Sequence, residues 1–259
     1  AESKSAERRG MMDPVTLARR LHGVPVFTLT DDKGVPFTVF GEDAVISAYF
    51  FTTFEEAERI LKVAKISGDA ARAEAVAEAR RKKDAGALRD LAASENPWAG
   101  ARIATVPLDL AVTLATRRRN GGETNFLLAP DQRDVADALA ADGNGARELP
   151  EGNVPLFYCD ELTLPPENGE TGAARPLFFR RGEVEEAWRS GHPGTEAPTI
   201  KVTELFKAVG EMVRPGATDP DLKELTFVPP KGSVKRAREI RKQEGEEVSF
   251  SLGQRIVVF

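Results

Sequence analysis

With 259 residues, 41% hydrophobic and 30% charged, the chain is long enough to form one large domain or two modest ones, burying roughly 70 to 75% of its unfolded surface. A net charge of -5 gives a mildly acidic surface and excludes broad nucleic-acid binding driven by phosphate neutralisation. The lone Cys159 excludes an internal disulfide and any Cys-x-x-Cys redox or zinc arrangement, and no segment approaches the ~18 consecutive apolar residues of a membrane span.

Asp13-Pro14 followed by Val15, Leu17, Ala18 and Leu21 predicts a short helix with Asp as N-cap and Pro at its first position, stopped at Gly23. Val24 to Thr30 and Val35 to Phe40 alternate around the turn residues Asp31-Asp32-Lys33-Gly34, which predicts a hairpin, and Val45 to Phe51 adds a third strand. Thr53 before Glu55-Glu56, with Ala57, Ile60, Leu61 and Ala64 on one stripe, predicts a helix. From about 67 to 95 the composition turns to Ala, Arg, Lys, Glu and Asp, the mark of a solvated or weakly docked helical insertion.

Arg102 to Val106 reads as a strand leading to a helix capped by Asp109, and Phe126 to Leu128 as another strand before a helix opened by Pro130-Asp131. Gly143-Asn144-Gly145 is a linker. Strands at 154–159 and 176–179, a helix at 183–189, a strand at 199–202 and a helix capped by Thr203 and stopped at Pro215-Gly216 follow. Leu225 to Val228 is a strand before a basic helix from Lys231 to about Lys242, and the tail from Val248 to Phe259 alternates as a strand or hairpin broken at Gly253. The strand, helix, strand, helix order at 102–140 and 199–242 favours crossovers on one sheet face, the other face being covered by the opposite half or left open.

Several of these elements recur in order. Val24-Pro25-Val26-Phe27 returns as Val154-Pro155-Leu156-Phe157, Phe50-Phe51 as Phe178-Phe179, Val106 to Asp109 loosely as Ile200 to Thr203, and Phe126 to Pro130 as Leu225 to Pro229. The spacing between counterparts shrinks from 130 residues at the first pair to 94 at the third, which places extra residues inside the first copy. A unit this long is a domain half, since solenoid periods run about 20 to 50 residues. The pattern predicts a mixed α/β (α+β) fold, a pseudo-twofold duplicated sheet with helices packed on it and an Ala-rich helical insertion in the first half. Residues 1–145 make the first half and 146–259 the second, expected to join in one compact domain.

Chemistry-bearing motifs are sparse. His22 reads as closing a helix and His192 as part of a Gly-His-Pro-Gly turn, with no Cys or second His close enough in sequence to complete a metal site. There is neither a GxSxG elbow nor a Gly-rich phosphate loop. Asp31-Asp32, Glu55-Glu56 and Glu185-Glu186 sit where turn formation and helix starts already explain them. Cys159 reads as a buried small hydrophobe. No catalytic, cofactor-binding or metal residue is assigned, and an enzyme is not expected.

Binding is the better expectation. Neighbours along a strand point to opposite faces, so Phe50 and Phe51 cannot enter one core layer, and Phe178 and Phe179 repeat the situation. Either both sheet faces are covered or one is an apolar groove open to a client. Phe37, Phe50, Phe51, Phe178 and Phe179 are the candidate partner-binding aromatics. Lys235, Arg238 and Arg241 on the basic helix are candidates for an acidic partner or anionic headgroups, where each cation contributes about 1 kcal/mol near a membrane surface. Glu244, Glu246 and Glu247 weaken that patch.

The stretch Gly23 to Thr30 with its Asp-Lys-Gly turn, Tyr49-Phe50-Phe51 leading into Glu55-Glu56-Ala57, Val106-Pro107-Leu108, Phe126 to Pro130 and the second Val-Pro-Leu-Phe resemble the Tic twenty-two family over about residues 13–242. That family comprises the soluble component of the chloroplast inner-envelope protein translocon and its cyanobacterial and apicoplast relatives. The resemblance implies a pseudo-twofold α/β fold with apolar pockets, no cofactor, and a chaperone-like import role. Its partners would be precursor proteins and translocon subunits, with peripheral contact with the membrane surface and no nucleic acid. It also implies a plastid envelope intermembrane space location for a nuclear-encoded chain, beginning here at Ala1, whose targeting segment has been removed. The insertion and the tail beyond Lys242 depart from the family pattern and raise the alternative of a structural scaffold subunit in a larger plastid membrane complex.

Overall fold

A computed structural model describes residues 12–40, 45–118, 124–141, 148–165, 173–214, 220–244 and 255–257. Local chemistry sets the first elements. The Asp13 carboxylate accepts the Val15 and Thr16 amides at 3.1 and 2.9 Å, starting α1 (Pro14–His22). Strands β1 (Pro25–Thr30) and β2 (Phe37–Phe40) are joined by a turn in which Asp31 Oδ1 accepts the Lys33 and Val35 amides, both at 2.9 Å, and Gly34 takes φ +77°.

The remaining strands are β3 (Ile46–Phe51), β4 (Arg102–Pro107), β5 (Asn125–Ala129), β6 (Pro155–Tyr158), β7 (Arg175–Phe178), β8 (Lys201–Glu204), β9 (Leu225–Val228) and β10 (Arg255–Val257). They form two sheets with a shared plan. In the first, β1 runs antiparallel to β3 and β4, while β5 is parallel to β3. In the second, β6 runs antiparallel to β7 and β8, while β9 is parallel to β7. Among the described residues only the first sheet adds further strands, β2, antiparallel to β3, and β10, parallel to β2. Register pairs Phe27 with Phe51 and Phe157 with Phe178. The structural counterpart of Phe178 is therefore Phe51, one residue away from the match that equating the two Phe-Phe pairs gives.

The helices are α2 (Phe54–Lys82), α3 (Ala85–Ala93), α4 (Leu108–Arg118), α5 (Gln132–Ala141), α6 (Arg181–Gly191), α7 (Leu205–Val213) and α8 (Ser233–Glu244). Helix α4 links β4 to β5 and α7 links β8 to β9. The amides of Leu108 and Leu205 donate to the carbonyls of Val24 and Val154, each at 2.9 Å, which fixes both strand-to-helix junctions. Asp109 consequently lies inside the first turn of α4, and α7 is capped by Glu204, whose Oε2 accepts the Lys207 amide at 2.8 Å, with Thr203 left in β8. The Gly143-Asn144-Gly145 linker, the Pro215-Gly216 stop, most of the 165–169 loop and most of the tail fall outside the described residues.

Strand alternation divides the interior into three cores. One face of both sheets, with Val26, Phe50, Leu128, Leu156, Leu177 and Phe227, packs in a single cluster with α1, α4 and α7. The other face of the first sheet, carrying Phe27 and Phe51, is covered by α2 through Ala57 and Leu61 and by α8 through Ala237 and Ile240. The other face of the second sheet, carrying Phe157 and Phe178, is covered by α6 through Val184 and by α5 through Ala138. The last helix of each half has thus changed sides: α5 leaves the first sheet for the second, and α8 leaves the second for the first. Only α4 and α7 follow the expected one-sheet crossover.

Helix α2 also departs from expectation. It does not end near Ala64 but continues into the Ala-rich segment for 29 residues, about 44 Å. Lys83 in the left-handed region ends it, and Asp84 caps α3. The two helices form a hairpin held by Asn96, whose Nδ2 donates to the Lys65 carbonyl and to Asp69 at 2.9 and 2.8 Å while its Oδ1 accepts the Trp98 amide at 2.9 Å. Asn96 lies against Gly68, where an added Cβ would meet Oδ1 at 2.4 Å.

Ala normally stabilises a helix interior by about 1 kcal/mol over Gly. Gly68→Ala is expected to do the opposite, because displacing the pinned Asn96 costs about 1–3 kcal/mol; faster amide exchange across residues 85–93 would show it, and a raised Tm would contradict it. Truncation after Pro230, which strips α8 from Phe27 and Phe51, is expected to abolish cooperative unfolding of both sheets, measured by calorimetry. Retention of a native-like transition would show that the halves fold independently.

Candidate functional site

All five candidate aromatics are buried. Phe50 and Phe179 sit in the central core, the Phe50 ring 5.7 Å from that of Phe126 at 17°, Phe37 stacks on Trp98 at 4.4 Å, and Phe51 and Phe178 fill the two outer cores. Of the two readings of the aromatic strands, covered faces hold at these residues, because α2 and α8 close one sheet and α5 and α6 the other. Lys235, Arg238 and Arg241 do lie on the exposed side of α8. Glu239 is 3.9 Å from Lys235 and 3.1 Å from Arg236, whose guanidinium sits 4.9 Å from the centre of the Phe54 ring.

The other singled-out residues have structural partners. His22 is 3.3 Å from Asp109, and His192 stacks on Trp188 with ring centres 3.9 Å apart. Cys159 is buried, which pushes its thiol pKa up. Glu56 is held bidentately by Arg59 at 2.8 and 2.6 Å, Glu55 pairs with Arg180 at 3.3 Å, and Glu185 with Arg181 at 3.3 Å. Among the described residues no cluster of His, Cys, Asp and Glu has the geometry to hold a metal ion.

Among the described residues three half-open grooves stand out. The first, about 300 Å³, runs along β5 from Asn125 to Leu128 and is closed by the loop Glu151-Gly152-Asn153, with Phe206 of α7 opposite. Gly152 adopts φ +82° where an added Cβ would lie 3.0 Å from Leu127, and Tyr49 donates to Glu151 at 2.7 Å, so the loop is fitted against the strand. Among the described residues β5 pairs only with β3, leaving its outer edge open beside the groove. The second groove, about 270 Å³, has Leu177 and Ala208 in its floor and Asp160, Arg175, Lys207 and Glu211 around it. Leu225 of β9 lines it in the position that Phe126 of β5 holds in the first. The third, about 400 Å³, lies between α2 and α8 with Leu61, Ile103 and Ile240 beneath Arg102 and Arg236. The second and third grooves have apolar floors with rims of mixed charge, while the first sets Phe126, Leu127 and Phe206 among the polar groups of Asn125, Glu151 and Asn153; such mixed surfaces suit extended polypeptide better than one small polar ligand.

Between the two halves lies a polar seam that local sequence patterns did not reveal. The starts of α2, α5, α6 and α8 meet there: Arg180, just before α6, reaches Glu55 of α2 and lies 4.0 Å from Asp131, which caps α5. Lys231, just before α8, donates its amide to Glu183 of α6 at 2.8 Å and its ammonium to Glu186 at 2.7 Å. Asp134, 4% exposed, has its pKa pushed up to about 7, first by burial and then by the charge of Asp131. Burial also raises Glu183. Asp131 was visible as a helix start, Asp134 was not singled out, and their meeting with Arg180 depends on the exchange of α5 and α8 between sheets.

Comparison with known proteins agrees with this architecture. The structure is similar to Tic22 from Plasmodium falciparum, with a TM-score of 0.59 at 18% identity over 88% of this chain and 98% of that one. It is similar to Anabaena Tic22, described as a protein of protein transport, with a TM-score of 0.58 at 15% identity over the same shares. At these identities the likeness shows the mixed α/β fold. No curated protein matches at the sequence level. Residues 2–241 match the Tic22-like family, whose members are associated with protein transport and with plastids and are known as transport components rather than enzymes. With that match spanning nearly its whole length, the chain belongs to the Tic22-like family.

Proposed function

We propose that this protein is a chaperone-like import component that binds extended precursor segments between the outer and inner translocons of the plastid envelope, without nucleotide. The observation that carries the reading is the edge of β5, unpaired among the described residues, beside the groove that holds Phe126, Leu127 and Phe206. An unpaired edge offers main-chain hydrogen bonds to any extended chain, whatever its sequence, while neighbouring pockets take alternate side chains. That combination suits a client defined by being unfolded. The intermembrane space and a processed N-terminus belong to the same reading and rest on family membership. No helix is long and apolar enough among the described residues to cross a membrane. Lys235, Arg238 and Arg241 are then contacts for translocon subunits or the membrane surface, and the buried phenylalanines set the shape of the groove floor, Phe50 supporting Phe126. The two halves act as one domain in this reading.

A second reading, a scaffold subunit of a larger plastid membrane complex, is favoured by the α2–α3 hairpin, where Val63 and Ile66 are 48% and 60% exposed, and by the strand β10 beyond the matched residues. Deleting residues 245–259 separates the two: a scaffold loses co-purifying subunits, whereas an import chaperone keeps its affinity for a transit peptide.

The paired substitution Leu127→Glu, Phe206→Glu is expected to weaken binding of a fluorescent transit peptide at least about tenfold with a native circular dichroism spectrum. Unchanged anisotropy titrations would sink the groove as the binding site. Phe51→Ser behaves differently in this account, costing about 3–5 kcal/mol of stability in denaturant titration, because the ring is core. A stable Phe51→Ser variant that loses the peptide would return that aromatic to the binding surface.

A further inference from the structure

We propose that the seam at the start of α5 is a proton-linked latch: Asp134, taken out of water between the two halves, holds α5 on the second sheet when protonated and loosens it when ionised. The geometry supplies the parts. Asp134 lies in the first turn of a helix exchanged from the other half, its Oδ2 is buried, and that oxygen has no hydrogen-bond partner among the described residues. Beneath α5 are Phe157, Phe178 and Val184, a surface that gains nothing from a charge above it.

The groups that act on Asp134 are unequal. Asp131 and Asp137 on its own element and Glu183 on α6 oppose ionisation, and Arg180 alone favours it. Arg180 is itself shared with Glu55 of α2 and with Asp131. Arg133 is turned out to solvent and 3.7 Å from Asp131. The ionisable groups of β8 are engaged elsewhere, Lys201 with Asp160 and Glu204 at the α7 cap. Of the other cations nearby, Lys231 is committed to Glu183 and Glu186, and Arg59, whose charge acts on Asp131, is held by Glu56.

The sign follows from proton counting. Burial raises the carboxyl of Asp134 from its ordinary 3.8 to about 7 while the latch is closed, so the closed form holds more protons than the open one. Stability of the closed form is fully present below the ordinary carboxylate range, falls as pH rises toward about 7, and is level above it. Between pH 5 and pH 8 the opening constant of α5 should rise about a hundredfold. The latch is independent of what the grooves hold.

Hydrogen exchange on the intact chain, corrected for the intrinsic pH dependence of amide exchange, tests it. In the native protein, protection of residues 135–141 should fall about a hundredfold between pH 5 and pH 8, while amides of α7 keep theirs. Asp134→Asn should make protection of α5 independent of pH, and Asp137→Asn should leave the dependence in place. If Asp134→Asn does not fold, Arg180→Gln serves: losing the one favourable cation should move the midpoint of the loss to higher pH, which a merely structural defect would not do. Flat protection in the native protein, unaltered dependence in Asp134→Asn, or an unmoved midpoint in Arg180→Gln would each overturn the latch.

Discussion

The fold depends on an exchange of helices between two sheets of the same plan. Neither sheet can bury both of its faces with its own helices, because α4 and α7 are spent in the central core and only α2 or α6 remains for the outer face. Ala138 of α5 and Ile240 of α8 complete the outer cores from the opposite half. Each half therefore lacks part of a core when alone, and association is built into the chain by a reciprocal apolar contact, the dominant favourable term in such packing.

Exchange brings helix starts together, and this explains the polar seam. The carboxyl ends of the parallel pairs β3/β5 and β7/β9, where open α/β sheets bind ligands, are occupied here by the protein's own carboxylates and by Arg180. Helix N-termini carry partial positive charge and lower the cost of keeping Glu55, Asp131 and Glu183 there. Asp134 is the residue for which this compensation falls short. The first two grooves open away from this seam, at the β5 edge and along α7.

Much of the local structure was legible in the sequence because it rests on local chemistry: Asp13 and Thr53 as caps, Asp31 in its turn, and the strands at both Val-Pro motifs. Three features were not. The partner sheet of an amphipathic helix is not written in its stripe, so the change of sides by α5 and α8 was invisible. The change of composition at about residue 67 hid the fact that one helix runs through it, and the fit of Asn96 against Gly68 depends on a residue 28 positions away in sequence. The aromatic pairs announced two faces through their period of two but not that both faces would be covered. The groove was legible only in part, since Phe126 and Leu127 read as a strand while the openness of its edge depends on which strands pair.

The central claim is that extended clients lie along β5. The most direct measurement is photocrosslinking of a transit peptide from a benzophenone side chain placed at residue 127, compared with one placed at the exposed Val15, which does not line the groove. The account predicts peptide crosslinks from 127, competed by unlabelled peptide, and none above background from 15. Equal labelling from both positions, or labelling from 15 alone, would contradict it.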